Sequence, residues 1–164
     1  MDRVQNLGFL LKDVSRIYTK RFEERAQGLE LTLVQCKALI FLTKNEGISQ
    51  KRLAELIDVD PMSLVRILDR MEADGWVERQ SDPDDRRARS LRVTQKAMPV
   101  VDQILQIAAK LRAEVLTGLS TEECESLIGL LEHVHENLMS MKPVATEAVT
   151  DRTSHSPKPL RSVR

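Results

Sequence analysis

Two short helical patterns joined by a very short link constrain the fold of this chain more than any other feature. The first pattern runs from Ser49 to Ile57. The second begins at Asp60, whose carboxylate suits the N-cap position, and Pro61, which suits the first helical position. Gly75 follows where that helix should end. The sequence therefore predicts a helix-turn-helix, two helices joined by a tight turn.

The second of these helices has one apolar face and one polar face. Its apolar residues recur at helical spacing and predict a buried stripe of Leu64, Ile67, Leu68 and Met71. The residues expected on the opposite side are Met62, Ser63, Arg66 and Arg70. A helix with such a polar face, and with two arginines about one turn apart, is suited to the major groove of DNA.

A small arginine-rich hairpin is predicted directly after this helix. Residues 76–79 and 90–93 alternate like strand residues, and the segment SDPDD between them consists of turn formers. Within seven positions from the tip into the second strand lie Arg86, Arg87, Arg89 and Arg92. An ordinary solvated hairpin is one interpretation. Its position after a helix-turn-helix favours the other, a loop that reaches a neighbouring minor groove.

With these motifs the chain resembles the MarR family of winged helix-turn-helix regulators, and more narrowly its SlyA-type members. The likeness extends over about residues 5–141. The residues that carry it are Leu31-Thr32 with Gln35, Ser49-Gln50 with Leu53-Ala54, Ser63-Leu64-Val65-Arg66, Gly75, Asp85-Arg86-Arg87-Ala88 and Val93-Thr94. Ala97 departs from the glycine that much of the family has after a lysine. SlyA-type members are similar to this chain there, with Lys-Ala and then Pro99.

The resemblance implies a mainly α fold with a small β wing, in which a winged helix-turn-helix is combined with terminal dimerisation helices. It implies a sequence-specific transcriptional regulator, a repressor, that binds double-stranded DNA as a homodimer. Two-fold symmetry predicts a pseudo-palindromic operator with half-sites about one turn of DNA apart. The resemblance also implies control by a small aromatic or phenolic effector.

Four further helices are predicted around the winged region. The first runs from residue 4 to about residue 26, and Thr32 is expected to cap a second that ends near Lys44. Thr94 is expected to cap a long helix, and Ser120 a last helix in which Glu123 completes a capping box. The last helix carries a stripe with coiled-coil spacing: Cys124, Leu127, Leu131, Val134, Leu138 and Met141. From the residues alone this stripe packs either on its own domain or on a second copy of the chain.

These patterns divide the chain into three parts. Residues 1–30 and 95–142 are predicted to form a helical dimerisation region, and residues 31–94 the DNA-binding winged helix-turn-helix. Residues 143–164 are rich in proline, serine and threonine without periodicity, which is typical of a disordered tail.

The second helix of the helix-turn-helix is expected to read bases. Arg66 lies in its middle and is suited to a guanine edge, a role that the resembling family gives to the arginine at this place. A structural salt bridge to Asp69 or to a neighbour of Arg70 is the alternative interpretation. Met62 and Ser63 are placed for a thymine methyl and for a phosphate or base edge, and Arg70 extends the same face.

The remaining predicted contacts are to the DNA backbone and the minor groove. Ser49 and Gln50 begin the preceding helix, where free N–H groups favour a phosphate. Arg86 is predicted to enter the minor groove, held by a nearby acid such as Asp82 or Asp85. Arg87 and Arg89 are predicted to contact the DNA backbone.

Net charge does not by itself indicate a nucleic-acid partner. Lysine plus arginine equals aspartate plus glutamate at 25 each, whereas nucleic-acid-binding proteins are often basic. The prediction therefore rests on where the arginines lie. No apolar run approaches the length of a membrane span and no signal peptide is recognisable, so a cytoplasmic location without a membrane partner is expected.

Enzymatic and metal-binding interpretations are not supported. His133 and His135 point to different faces of a helix, so no metal site is predicted, and no cofactor is expected. Cys36 lies on an apolar face without a histidine nearby in sequence, so a packed thiol is favoured over a nucleophile. No catalytic residue is assigned, and we predict that the chain is not an enzyme.

Three interpretations of regulation stay open at this stage. Tyr18, Cys36 and Phe41 are the residues expected near an effector pocket, although each also suits an ordinary core. A cysteine-based redox-sensing regulator is a second possibility. A winged helix used for protein–protein contact, with the arginine wing on an acidic partner, is a third.

Overall fold

A computed structural model of the chain describes residues 3–81 and 89–141. These residues fall into two compact units, one that runs to Gly118 and one that begins at Leu119. The elements of the first unit are α1 (Leu7–Ala26), α2 (Leu33–Lys44), α3 (Gln50–Ile57), α4 (Pro61–Ala73), β1 (Val77–Ser81), β2 (Arg89–Val93) and α5 (Met98–Val115). The second unit contains α6 (Thr121–Ser140). The predicted class, mainly α with a small β wing, is confirmed.

The predicted N-caps of α2, α4 and α6 are confirmed. Thr32 accepts a hydrogen bond from the backbone N–H of Gln35, and the side chain of Gln35 accepts one in return at 2.8 Å. Asp60 accepts a bond from the N–H of Ser63 at 2.9 Å, and Pro61 is the first helical residue. The second capping box, at Ser120, starts α6 in the same way. Because a cap satisfies backbone donors that the helix leaves free, these local signals fix where each helix starts.

The end of α4 is fixed by Gly75. This glycine has φ +76°, and its N–H donates to the carbonyl oxygen of Glu72 at 3.0 Å. The N–H of Trp76 donates to the carbonyl oxygen of Met71 at 2.8 Å. This pair of bonds is a Schellman motif, which needs a left-handed residue at the glycine position. The chain therefore leaves α4 sharply and enters β1.

The sheet of the wing is antiparallel, with Val77 opposite Val93 and Arg79 opposite Leu91. The segment before α3 adds to the edge of β2, since the N–H of Leu91 donates to the carbonyl oxygen of Ile48 at 3.1 Å. The start of α3 and the base of the wing are consequently held together.

The long helix after the wing begins later than predicted, and Thr94 is not its cap. A 3-10 turn occupies Gln95–Ala97, and α5 starts at Met98. The hydroxyl of Thr94 donates instead to the carbonyl oxygen of Gly75 at 2.6 Å. Pro99 lies in the first turn of α5, where a missing N–H is tolerated.

One hydrophobic core joins the helices of the first unit to the wing. The predicted stripe of α4 is inside it, with Leu64, Leu68 and Met71 fully buried. The other elements contribute Phe22, Ala26, Cys36, Ala38, Leu39, Leu42, Leu53, Ala54, Ile57, Val77, Leu91, Ala97, Val101, Ile104 and Leu111. Because α4 buries only the face that carries this stripe, its opposite face is exposed to solvent.

Two terminal helices present apolar side chains to solvent in the single chain. On α1 the exposed large apolar residues are Leu7, Phe9, Leu10, Val14, Ile17 and Tyr18. On α6 they include Leu127, Leu131, Leu138 and Met141, counting the residue at its C-terminal cap. Contiguous apolar surface of this kind marks an interaction site more often than a solvated surface.

Some predictions lie outside the described residues. The tip of the wing, residues 82–88, and the predicted tail, residues 143–164, belong to this group. Of the helices that the structure describes, none combines the length and apolarity that a membrane crossing requires.

Candidate nucleic-acid interface

The outward face of α4 carries the four side chains predicted for it. Met62, Ser63, Arg66 and Arg70 are all exposed, and Met62 is 70% exposed. Met62 and Ser63 lie in the first turn, while Arg66 and Arg70 follow in the next turns. The helix thus presents a methyl group, a hydroxyl and two guanidinium groups along one strip.

Arg66 does not form the alternative surface ion pair. Asp69, the acid proposed as its partner, binds Arg79 instead, with its Oδ1 2.6 Å from Nη2 of Arg79. Among the described residues no ion pair within 4.0 Å includes Arg66 or Arg70. As far as the residues 3–81 and 89–141 are concerned, both guanidinium groups are therefore open to an external acceptor.

At the start of α3, the polar side chains of Ser49 and Gln50 form hydrogen bonds within the protein. Ser49 caps α3 by accepting a hydrogen bond from the N–H of Arg52 at 3.2 Å. Gln50 is half-buried, and its side-chain oxygen accepts a bond from Nε of Arg79 at 3.0 Å. Phosphate binding by Ser49 and Gln50 stays a prediction, and the backbone N–H groups of the first turn are its best donors.

The sequence analysis missed Arg79. This arginine bonds Asp69 and Glu72 on α4 and Gln50 on α3. A signal was present in the strand alternation, because Arg79 shares a face with the buried Val77. A charge that points inward needs partners, and two acids at helical spacing on α4 supply them.

The predicted wing contacts are described only at their base. Arg86 and Arg87 lie outside the described residues, and Arg89 is described only as the first residue of β2. Arg92 is exposed on β2, and its Nη1 lies 3.9 Å from Oε2 of Glu46.

The three residues predicted for an effector pocket line one cavity. This cavity lies between α1, α2 and α5 and has a volume of about 180 Å³. Its lining consists of Tyr18, Phe22, Cys36, Lys37, Ile40, Phe41, Ile104 and Ala108. It is therefore mostly apolar and aromatic, with a single lysine.

Cys36 is suited to packing rather than to redox chemistry. Its side chain is buried, and burial raises the pKa of the thiol to about 11. The thiolate is the reactive form of cysteine, so this thiol is nearly unreactive at neutral pH. Within the described ranges, 3–81 and 89–141, no group of three or more metal-ligating side chains lies close together.

Comparisons with known proteins agree with this geometry. Residues 31–88 match the MarR family. The crystal structure of the transcriptional regulator PA3341 is similar, with 31% sequence identity and a TM-score of 0.77 over 82% of this chain and 99% of that one.

Two similar structures contain DNA. A cysteine-to-serine mutant of MarR from E. coli, complexed with operator DNA, is 28% identical with a TM-score of 0.69, over 82% of this chain and 99% of that one. The transcriptional repressor CouR, bound to a 23-mer DNA duplex, is 24% identical with a TM-score of 0.70, over 79% of this chain and 92% of that one. The likeness to CouR concerns the fold alone.

Proposed function

The chain belongs to the MarR family of DNA-binding transcription regulators, and on that premise we propose that it is a SlyA-like repressor that binds a pseudo-palindromic operator as a homodimer. A small aromatic or phenolic acid releases it from DNA. The observation that carries the proposal is the outward face of α4, where Arg66 and Arg70 are exposed and form no ion pair with another described residue, while the opposite face is buried.

In this proposal α4 is the recognition helix. A helix fits the major groove, and an arginine there forms two hydrogen bonds to the O6 and N7 atoms of guanine. Arg66 is the residue we assign to that contact. Met62 contacts a thymine methyl group, and Ser63 contacts a phosphate or a base edge. Arg70 extends the contact surface.

The flanking contacts position the helix on the duplex. Ser49 and Gln50 offer the start of α3 to a phosphate, because the first N–H groups of a helix bind anions. On the wing, Arg86 enters the minor groove, and Arg87 and Arg89 contact the DNA backbone. These contacts hold the protein in place and add little sequence information.

The homodimer is supported by the apolar surface of the terminal helices. The exposed faces of α1 and α6 would each lie in water in a single chain. Burial of such faces against a second copy removes them from water, at roughly 25 cal/mol per Å². We assign residues 1–30 and 95–142 to dimerisation and residues 31–94 to DNA binding.

The effector is proposed to occupy the cavity lined by Tyr18, Cys36 and Phe41. With a volume of about 180 Å³ it suits a single substituted ring rather than a larger ligand. Tyr18 and Phe41 provide aromatic walls, and the ammonium group of Lys37 can bind a carboxylate. The ligand acts by binding more tightly to the conformation that does not fit the operator.

Selection from a random pool of double-stranded DNA tests the proposal. Purified protein at near-physiological salt is expected to enrich a two-fold palindrome whose half-sites are about one helical turn apart. Enrichment of a single half-site would contradict the homodimer. Retention without any enriched sequence would contradict base reading and favour a winged helix that contacts an acidic protein partner.

A further inference from the structure

We propose that Arg79 is a positioning residue for DNA recognition, which sets the orientation of α4 without touching DNA. The residues involved are Arg79, Asp69, Glu72 and Gln50, called here the Arg79 cluster. This inference rests on the proposed function, since it concerns how the recognition helix is held. Its consequence is that discrimination between bases depends on a side chain outside the interface.

The contacts of Arg79 join three elements of the winged region. Its Nη2 lies 2.6 Å from Oδ1 of Asp69, and its Nη1 binds Oε2 of Glu72, so both acids of α4 are engaged. Its Nε donates to Oε1 of Gln50 at 3.0 Å, which adds the first turn of α3. The backbone N–H of Arg79 donates to the other oxygen of Glu72 at 3.2 Å.

Burial separates Arg79 from the arginines that face solvent. Its side chain is 9% exposed, whereas those of Asp69 and Glu72 are 59% and 40% exposed. Arg79 is also opposite the fully buried Leu91 in the strand register. A guanidinium that is enclosed in this way, with each of its three nitrogens bound to a protein acceptor, is not placed to contact DNA.

The geometry of the contacts favours positioning over simple attraction. The donors of a guanidinium lie in one plane at fixed angles, so partners bound at Nε, Nη1 and Nη2 are held in fixed relative positions. Asp69 and Glu72 are three residues apart on α4, and together they define how that helix is rotated about its axis. A rotation that breaks the cluster also moves Arg66, which precedes Asp69 by one turn.

Base reading is sensitive to such a rotation. A bidentate contact requires the side chain to be held within about 0.5 Å and 10–20° of its productive geometry. Phosphate contacts by flexible lysine and arginine side chains tolerate more displacement. Loss of the Arg79 cluster should consequently reduce discrimination more than it reduces binding to DNA in general.

An electrostatic effect has to be separated from positioning. Without Arg79, the carboxylates of Asp69 and Glu72 would stand uncompensated on the DNA-binding helix and repel phosphates. Arg79→Met alone combines both effects. The triple variant Arg79→Met, Asp69→Asn and Glu72→Gln removes the arginine and both negative charges together, so it shows the effect of positioning alone.

The test compares dissociation constants for the selected operator and for the same operator with the guanine read by Arg66 replaced. Discrimination is the dissociation constant for the altered operator divided by that for the selected operator. Arg79→Met is expected to lower this ratio about 10-fold, which is within the range of one bidentate base contact. Compared with Arg79→Met, the triple variant should bind non-operator DNA more tightly, because the two uncompensated carboxylates are gone. Its ratio of dissociation constants should stay as low as that of Arg79→Met. Arg79→Lys keeps the charge but lacks the planar donors. It should restore affinity for DNA in general and only part of the discrimination ratio.

A double-mutant cycle gives a readout that a purely structural role would not move. If Arg79 acts through Arg66, Arg66→Ala should cost less discrimination in the Arg79→Met background than in the wild type. Arg25→Met is the matched control, since it removes an ion pair to Glu114 between α1 and α5. Its discrimination should equal that of the wild type.

Two outcomes are distinct. If the wild-type protein itself shows no preference for the operator, the proposed function fails. If the wild type discriminates and a folded Arg79→Met protein discriminates equally well, the positioning role is overturned while the proposed function stands. Should Arg79→Met not fold, Asp69→Asn weakens the cluster without removing the arginine, and unchanged discrimination in that variant would overturn the inference equally.

Discussion

The hydroxyl of Thr94 donates to the carbonyl oxygen of Gly75 at 2.6 Å, which ties the end of the wing to the turn that ends α4. Lys96 reinforces this junction, since its Nζ donates to the carbonyl oxygen of Asp74 at 2.7 Å and lies 5.5 Å from the ring centroid of Trp76. Helix α4 and the wing are thus joined through two consecutive residues of the turn, Asp74 and Gly75.

Replacement of Thr94 by valine should lower the free energy of unfolding by about 1 kcal/mol, because the hydroxyl donor of a half-buried hydrogen bond is lost at nearly constant shape. Urea denaturation measures the change. Thr94→Ser keeps the hydroxyl and is the matched control. Equal stability of the valine and serine variants would contradict a stabilising role for this bond.

Signals between residues close in sequence predicted most of the fold. The errors arose where a side chain binds a group that is distant in sequence instead of a neighbouring one. The caps at Thr32, Asp60 and Ser120 depend on residues three positions away, so they can be read from the sequence. Thr94 also has the residue type of a cap, but its hydroxyl binds a carbonyl 19 positions earlier in the chain.

The candidate site shows the same division. The exposed face of α4 follows from helical periodicity, which predicted Met62, Ser63, Arg66 and Arg70 correctly as exposed. Strand alternation could have indicated that Arg79 points inward, but not that it binds Gln50 on α3, which lies 29 positions away. Only the assembled fold brings that pair together.

The proposed dimerisation through α6 predicts that a charge on its apolar stripe separates the protomers. Leu131→Lys should shift the protein from dimer to monomer, because a lysine ammonium would be buried in an apolar contact. Light scattering after size exclusion measures the mass, and affinity for the palindromic operator should fall in parallel.

Ser126→Lys is the matched control for this variant. It adds the same charge to the same helix, about 120° away from the stripe by helical geometry, and should remain dimeric. A dimeric Leu131→Lys protein with unchanged affinity would contradict the assignment of α6 to the interface.

Burial of Cys36 makes stability depend on pH in the alkaline range. The pKa of this thiol is about 11 in the folded state, raised by burial from an ordinary value of 9.0. Well below pH 9 the thiol is protonated in both states and stability is unaffected. Between pH 9 and 11 the unfolded chain loses the proton while the folded chain keeps it, so stability falls.

The added slope should approach about 1.4 kcal/mol per pH unit at most. Denaturant unfolding of the wild type and of Cys36→Ala across pH 8–11 measures it, and the alanine variant should lack this contribution. Cys124→Ala is the control substitution. Parallel curves for wild type and Cys36→Ala would contradict a buried thiol.

The proposed effector cavity predicts a specific role for Lys37. Lys37→Met should weaken the response of DNA binding to a hydroxybenzoic acid by roughly 10-fold in effector concentration, because the charged partner of the carboxylate is lost. A phenol without a carboxylate should be unaffected by the substitution. Lys110→Met, on α5 and outside the cavity lining, is the control.

Release assays at increasing effector concentration measure these responses. If wild type and Lys37→Met were equally sensitive to the acid, the proposed contact between Lys37 and the effector carboxylate would be contradicted.

The most direct measurement of the central claim is the affinity of Arg66→Ala for the selected operator and for operators altered at each base in turn. The claim that Arg66 reads a guanine predicts that discrimination is lost at one symmetric pair of positions, by about 1–3 kcal/mol per contact. Arg87→Ala should instead weaken binding to all sequences alike and reduce the dependence of affinity on salt. If Arg66→Ala lowers affinity uniformly and keeps the wild-type preference at every position, base reading by the exposed face of α4 is contradicted.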